Sequence, residues 1–198
     1  MNTALVIVDV QNDFCAGGSL AVPDADAVIP TINDLAHGFR HLFLTQDWHP
    51  PGHVSFASSH PGGLPFACIP LPQGEQMLWP DHCIEHTPGA AFHPGLRIPP
   101  GATVVRKGTR QEMDSYSALL ENDRRTPVGL DALLRRADVG EIVLAGLATD
   151  WCVLHTALDA RRLGYEVTVI ESACRGIDTA GSLAAAWSRM EDAGVRRA

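Results

Sequence analysis

Cys152, Asp9, Asp47 and Lys107 are the residues whose types and positions could do chemistry together. A thiol becomes a strong nucleophile when its proton is taken, a carboxylate can take it, and a nearby cation favours the charged form. Each of the four lies at or just beyond the end of an apolar run. Cys152 follows 142–145, Asp9 follows 4–8, Asp47 closes 41–47 and Lys107 follows 102–106. Taken singly, each also has an ordinary role. A buried structural cysteine, a turn aspartate and a solvated lysine after a strand are all common.

A second group has metal-ligand chemistry. Asp47, His49 and His53 fall in the proline-stiffened stretch Asp47-Trp48-His49-Pro50-Pro51-Gly52-His53, and His82 stands in Leu78-Trp79-Pro80-Asp81-His82-Cys83. One carboxylate and several imidazoles could converge on a divalent ion. The spacing has no regular ligand repeat, and the chain holds 9 histidines, so a polar surface loop competes with this reading.

The elements that must position these groups follow from the apolar pattern. The runs 4–8 and 142–145 have no polar alternation and are too short for core helices, which predicts buried parallel strands. Strands are likewise expected at 41–47, 102–106 and 166–170, with helices over 25–39, 128–137 and 180–193 and room after Gly194 for a short sixth strand. After 142–145, Gly146 is expected to break the strand, with Thr149 or Asp150 capping a helix that Gly164 closes. Cys152 then sits in the first helical turn. There the helix dipole and free N–H groups favour thiolate and can hold an oxyanion.

Alternating strands and helices predict an α/β fold, a three-layer α/β/α arrangement around a mostly parallel sheet of about six strands. Right-handed crossovers bring the carboxyl ends of such strands to one edge, where ligands bind. A single domain over 1–198 is expected, with a Pro/Gly-rich excursion at about 47–100.

Composition narrows the functions. A net charge of −8 without a Lys/Arg cluster argues against a nucleic-acid surface. No stretch approaches transmembrane length and the N-terminus lacks a basic, signal-like start, so no membrane role and a cytoplasmic location are expected. Five cysteines, an odd count without small-domain spacing, do not suggest a disulfide framework.

Several of these stretches together resemble the nicotinamidases of the isochorismatase-like cysteine hydrolase family. They are 4–14, Thr45-Gln46-Asp47-Trp48-His49-Pro50, His53-Val54-Ser55-Phe56-Ala57, 78–83, Lys107-Gly108, Asp114-Ser115-Tyr116-Ser117 and 146–152, in the family's order over most of the chain. The resemblance implies Cys152 as nucleophile, Asp9 as its general base and Lys107 as third member. It implies an oxyanion hole from the N–H groups of Ala148 and Cys152, with a cis peptide at Leu147-Ala148. It further implies a divalent metal, zinc first with manganese or iron as alternatives, on Asp47, His49 and His82. His53 matches a position that is a ligand in some relatives. Phe14, Trp79 and Tyr116 match the family's ring pocket, and Trp151 stands where tyrosine or phenylalanine is more usual.

The implied activity is hydrolysis of nicotinamide, and of relatives such as pyrazinamide, to the acid and ammonia through a cysteine thioester in NAD salvage. The implied partner is this small-molecule substrate, and a homo-oligomer stays open. Three rivals remain at this stage. They are a cysteine amidase of the same fold acting on another small amide such as an N-carbamoyl compound, a metal-hydroxide hydrolase with a structural Cys152, and a non-catalytic metal-stabilised binding module.

Overall fold

A computed structural model describes residues 1–198. In chain order the elements are β1 (Asn2–Val8), α1 (Val28–Ala36), β2 (His41–Asp47), β3 (Cys68–Leu71), β4 (Gly74–Met77), β5 (Thr103–Lys107), α2 (Leu130–Arg136), β6 (Val139–Leu147), α3 (Leu154–Arg162), β7 (Glu166–Arg175), α4 (Ser182–Asp192) and β8 (Arg196–Arg197). Six strands form one sheet in the order β5-β2-β1-β6-β7-β8, and every neighbouring pair is parallel. No helix is long and apolar enough to cross a membrane.

Alternation along the central strand divides the core. Val6 and Val8 pack with Leu130 and Leu134 of α2, Ala157 and Ala160 of α3, and Trp187 and Met190 of α4. Leu5 and Ile7 face the other way, onto Val28, Ile29 and Ile32 of α1 and onto loop residues such as Leu20, Val22 and Trp79. This is the expected three-layer α/β/α architecture. Pro30 lies within the first turn of α1, where its missing N–H has no intrahelical partner to lose.

The order in which strands are added reverses at the sheet centre. From β1 the chain builds outward through β2 and β5, then crosses back to β6 and builds the other side through β7 and β8. The crevice between the carboxyl ends of β1 and β6 is therefore the topological switch point, where ligands of such sheets bind.

Three local expectations differ from the structure. Gly146 does not end the strand, because β6 runs through to Leu147. Gly146 instead adopts φ 125, and any side chain there would collide with the Val8 backbone of β1. Neither Thr149 nor Asp150 caps a helix through its side chain. The residues Thr149–Val153 form a wide turn in which Val153 N–H reaches back to Ala148 O at 3.1 Å, and α3 begins only at Leu154. Asp150 accepts from the N–H groups of Ile177 and Asp178, each at 2.9 Å, and from Ser182 Oγ at 2.5 Å. It thereby fastens the entry to α4 onto the turn that carries Cys152.

The third difference is a hairpin. β3 and β4 pair antiparallel, Cys68 with Met77 and Leu71 with Gly74, within the stretch expected to be irregular.

Candidate active site

Asp9 directly follows β1 with φ 46, a left-handed conformation that aspartate tolerates better than most residues. Thr45 of β2 fixes it twice, its hydroxyl donating to Asp9 Oδ1 at 2.5 Å and accepting from Asp9 N–H at 3.1 Å. Lys107 is the last residue of β5 rather than the residue after it, and it is 1% exposed. Its Nζ lies 2.5 Å from Asp47 Oδ1, 2.9 Å from Asp9 Oδ2, 3.1 Å from Ser115 O and 3.3 Å from Cys152 Sγ. The sheet thus gathers the four strand-end groups around one buried ammonium.

Electrostatics sort these groups. Burial opposes the charge on Lys107, but Asp47 and Asp9 outweigh it and hold the ammonium well above the ordinary lysine range. Burial also works against Asp47, yet Lys107 and His49 keep its carboxyl below the usual carboxylate range. For Asp9 burial wins over Lys107 and moves the carboxyl up. Burial likewise pushes the Cys152 thiol well above its ordinary value, with Lys107 opposing and Asp9 adding to the rise. Desolvation therefore opposes the thiolate that the turn position favours in the sequence.

Asp47, His49 and His82 form a second buried group whose candidate ligand atoms all lie within 4.8 Å of one another. His49 Nδ1 is engaged by Gly108 O at 2.9 Å, and His82 Nδ1 by Pro80 O at 2.8 Å. Both carbonyls can only accept, so each Nδ1 carries a hydrogen and, in the neutral ring, Nε2 is the nitrogen left to ligate. Those Nε2 atoms stand 3.7 and 4.0 Å from Asp47 Oδ2, too far to hydrogen-bond. Two imidazole lone pairs and a carboxylate oxygen converging without bonding one another, with carbonyls fixing the tautomers, is the donor set a divalent metal requires.

His53 is placed differently. Its ring stacks on His49 at 4.3 Å, Nδ1 meets Ser55 Oγ at 2.7 Å, and Nε2 lies 3.3 Å from Met113 O. Its polar neighbours are His49 and Asp114, all three within 4.8 Å.

Beside these groups lies a small cavity, and Cys152, Ala148 and Asp47 reach its wall. Phe14, Trp79 and Tyr116 all line it, and Trp151 is a fourth aromatic wall. Trp79 and Trp151 meet edge to face at 4.7 Å, and Tyr116 lies 5.1 Å from Trp151. The Leu147-Ala148 peptide is cis. The sequence reading missed Thr45, Asp114 and Gln76. None stands out by periodicity or spacing, and Thr45 and Asp114 enter only as members of matching stretches.

A parallel α/β/α sheet with a thiol, a lysine and a carboxylate at its switch point, beside an aromatic cavity, defines a hydrolase-type fold with a candidate cysteine nucleophile. The chain belongs to the isochorismatase family, whose isochorismatase domain matches residues 3–197. It is 48% identical to the nicotinamidase of Acinetobacter baylyi over 99% of this chain and 92% of that protein. Among solved structures it resembles the nicotinamidase/pyrazinamidase of Acinetobacter baumanii, with TM-score 0.98, 52% identity and coverage of 99% of this chain and 95% of that one. It also resembles the pyrazinamidase of Pyrococcus horikoshii solved in complex with zinc, with TM-score 0.82, 32% identity and coverage of 100% and 99%.

Proposed function

We propose that this protein hydrolyses nicotinamide to nicotinate and ammonia, and pyrazinamide to its acid, by cysteine thioester chemistry. The observation that carries the reading is Cys152 Sγ at 3.3 Å from Lys107 Nζ, which is itself 2.9 Å from Asp9, at the wall of an aromatic cavity. The cavity is narrow and walled by aromatic rings, which suits a single flat ring. Relatives named nicotinamidase support the choice of amide.

As the sulfur attacks the carboxamide carbon, the thiol proton passes to Asp9 and a C–S bond forms. A raised Asp9 suits this role, because a carboxylate with a weakened hold on its charge takes a proton readily. The oxyanion is received by the N–H groups of Ala148 and Cys152. Asp9 then returns the proton to the amine, the C–N bond breaks and ammonia leaves. Water, giving its proton to Asp9, opens the thioester, and nicotinate and the thiol are restored. Lys107 holds Asp9 in place and offsets the negative charge that moves between oxygen and sulfur.

Asp47, His49 and His82 would hold the divalent metal, zinc on the example of the Pyrococcus relative, and His53 stands behind His49 as a supporting group. When bound, the ion supplies a Lewis-acidic point that orients the ring of the substrate. The reading assigns the reaction to cytoplasmic pyridine-nucleotide salvage. The test is ammonia release from nicotinamide by metal-replete protein with a Cys152→Ala variant alongside. Release lost in the variant is expected. Equal release by both would remove the thiol from the chemistry, and silence in both would overturn the substrate.

A further inference from the structure

Thr45 is fully buried on β2, and its oxygen accepts from Asp9 N–H at 3.1 Å, a group that can only donate. A hydroxyl has one hydrogen, and that hydrogen goes to Asp9 Oδ1 at 2.5 Å. Oδ2 of the same carboxylate is also out of contact with water. It lies 2.9 Å from Lys107 Nζ yet accepts no hydrogen bond. The three hydrogens of the ammonium are matched instead by Asp47 Oδ1, Ser115 O and Cys152 Sγ. The sulfur thus accepts from Lys107 and keeps its own hydrogen for another partner, and a carboxylate oxygen of Asp9 lies within 4.8 Å of it. Thr45 itself does not line the cavity.

We infer that Thr45 is a positioning residue for the general base: by occupying Oδ1 it leaves Oδ2 as the oxygen of Asp9 that takes the Cys152 proton. The inference rests on the amidase reading above. An oxygen that already accepts a short hydrogen bond holds a further proton less readily than its unbonded twin. In the step itself the S–H bond breaks and an O–H bond forms on Oδ2. The sulfur's electron pair forms the bond to the carboxamide carbon, and the carbonyl π pair moves onto its oxygen. Thr45 also holds the carboxylate plane still, because it ties the N–H and Oδ1 of the same residue. It stands off the cavity, so its loss falls on kcat rather than on KM.

The experiment has two arms. In the first, kcat and KM for nicotinamide are measured for T45V, which keeps the side chain's shape and removes the hydroxyl, and for T45S, which keeps the hydroxyl. T45V is expected to lose about 10- to 100-fold in kcat, part of the roughly 10²–10⁴ that general acid–base catalysis supplies, with KM within about twofold. T45S is expected to stay within about threefold of wild type in kcat. Rates are counted per folded molecule, so a threonine that served folding alone would leave them unchanged. An undiminished kcat in T45V, a loss carried by KM, or a T45S as poor as T45V would overturn the inference. The second arm needs no variant, and it decides the matter should T45V fail to fold. Neutron diffraction from wild-type crystals exchanged into heavy water locates each deuterium. The Thr45 deuterium is expected to face Oδ1, and one deuterium is expected on the line between Cys152 Sγ and Asp9 Oδ2, whichever atom carries it. A Thr45 deuterium facing elsewhere, or none on that line, overturns the inference. This arm requires no turnover, so failure of the wild type to release ammonia counts against the amidase reading alone.

Discussion

Lys107 and Asp47 join the two halves of the site, with Nζ 2.5 Å from Oδ1 while Oδ2 of the same carboxylate faces the two imidazoles. One carboxylate thus serves the thiol group with one oxygen and the imidazole group with the other. Neither half can be altered without the other registering the change.

Replacing Lys107 by Met leaves Asp9 and Asp47, whose oxygens lie within 4.8 Å of each other, buried without their shared cation. Removing one partner of a buried ion pair typically costs about 3–5 kcal/mol. Urea denaturation should show a loss of that order, and ammonia release should fall by about a thousandfold or more. Wild-type stability in K107M would show that the two carboxylates do not depend on Lys107.

Gly108, with φ 64, supplies the carbonyl that fixes His49, and a methyl on its Cα would collide with His49 Cε1 and Nδ1. Gly108→Ala should turn the imidazole and lower metal affinity by about 10- to 100-fold, as loss of such supporting contacts does. Metal content after dialysis against a graded chelator measures this. Unchanged retention would separate Gly108 from the metal group.

Cys68 is exposed, while Cys152 is buried and its thiol is pushed up by that burial. Iodoacetamide at neutral pH should therefore modify Cys68 first, with loss of activity slower by about tenfold or more. Peptide mass spectrometry against residual activity follows both, and a Cys68→Ser variant should inactivate at the same slow rate. Rapid inactivation of that variant would mean that the resting Cys152 is a thiolate.

His155 carries the pH dependence best separated from the metal group. Burial, then the charge of Arg124 against its Nδ1, lowers its pKa from 6.5 to about 3. The unfolded chain therefore takes up this proton first. Its share of stability is present above about pH 6.5 and is lost as pH falls from there toward 3. His155→Gln, which keeps an acceptor for Arg124, should show a shallower loss of stability over pH 6.5 to 4, by up to about 1 kcal/mol per pH unit. Parallel curves for the two proteins would show that His155 is not held neutral.

The strand ends were legible because β2 and β5 end in a charged residue, Asp9 directly follows β1 and Cys152 lies in the turn after β6, and parallel topology leaves such residues only one edge. Parallel strands alone thus bring Asp9, Asp47, Lys107 and Cys152 together. That reasoning failed where tertiary contact decides conformation. Gly146 reads as a breaker, yet it lies within β6 because the Val8 backbone approaches too closely for a side chain. The hairpin was hidden because Pro70 and Gly74 sit in strands of four residues, too short to show alternation. Gln76 and Asp114 carry no local signal, since they meet each other across 38 positions of chain. Burial likewise opposes the thiolate that the turn position favours, because a helix position is local and burial is not.

The sheet order also bears on how the chain comes into being. β6, the last of the four strands that carry the site, is inserted against the free side of β1, the first. Until residue 147 has been synthesised, β1 is paired only with β2 and exposes an apolar edge to its surroundings. A ribosome-bound chain stopped short of that point has no catalytic crevice at all, and its unfinished sheet is a template for pairing with other chains. Competence therefore arrives in one step and late, with the closing of the sheet's centre.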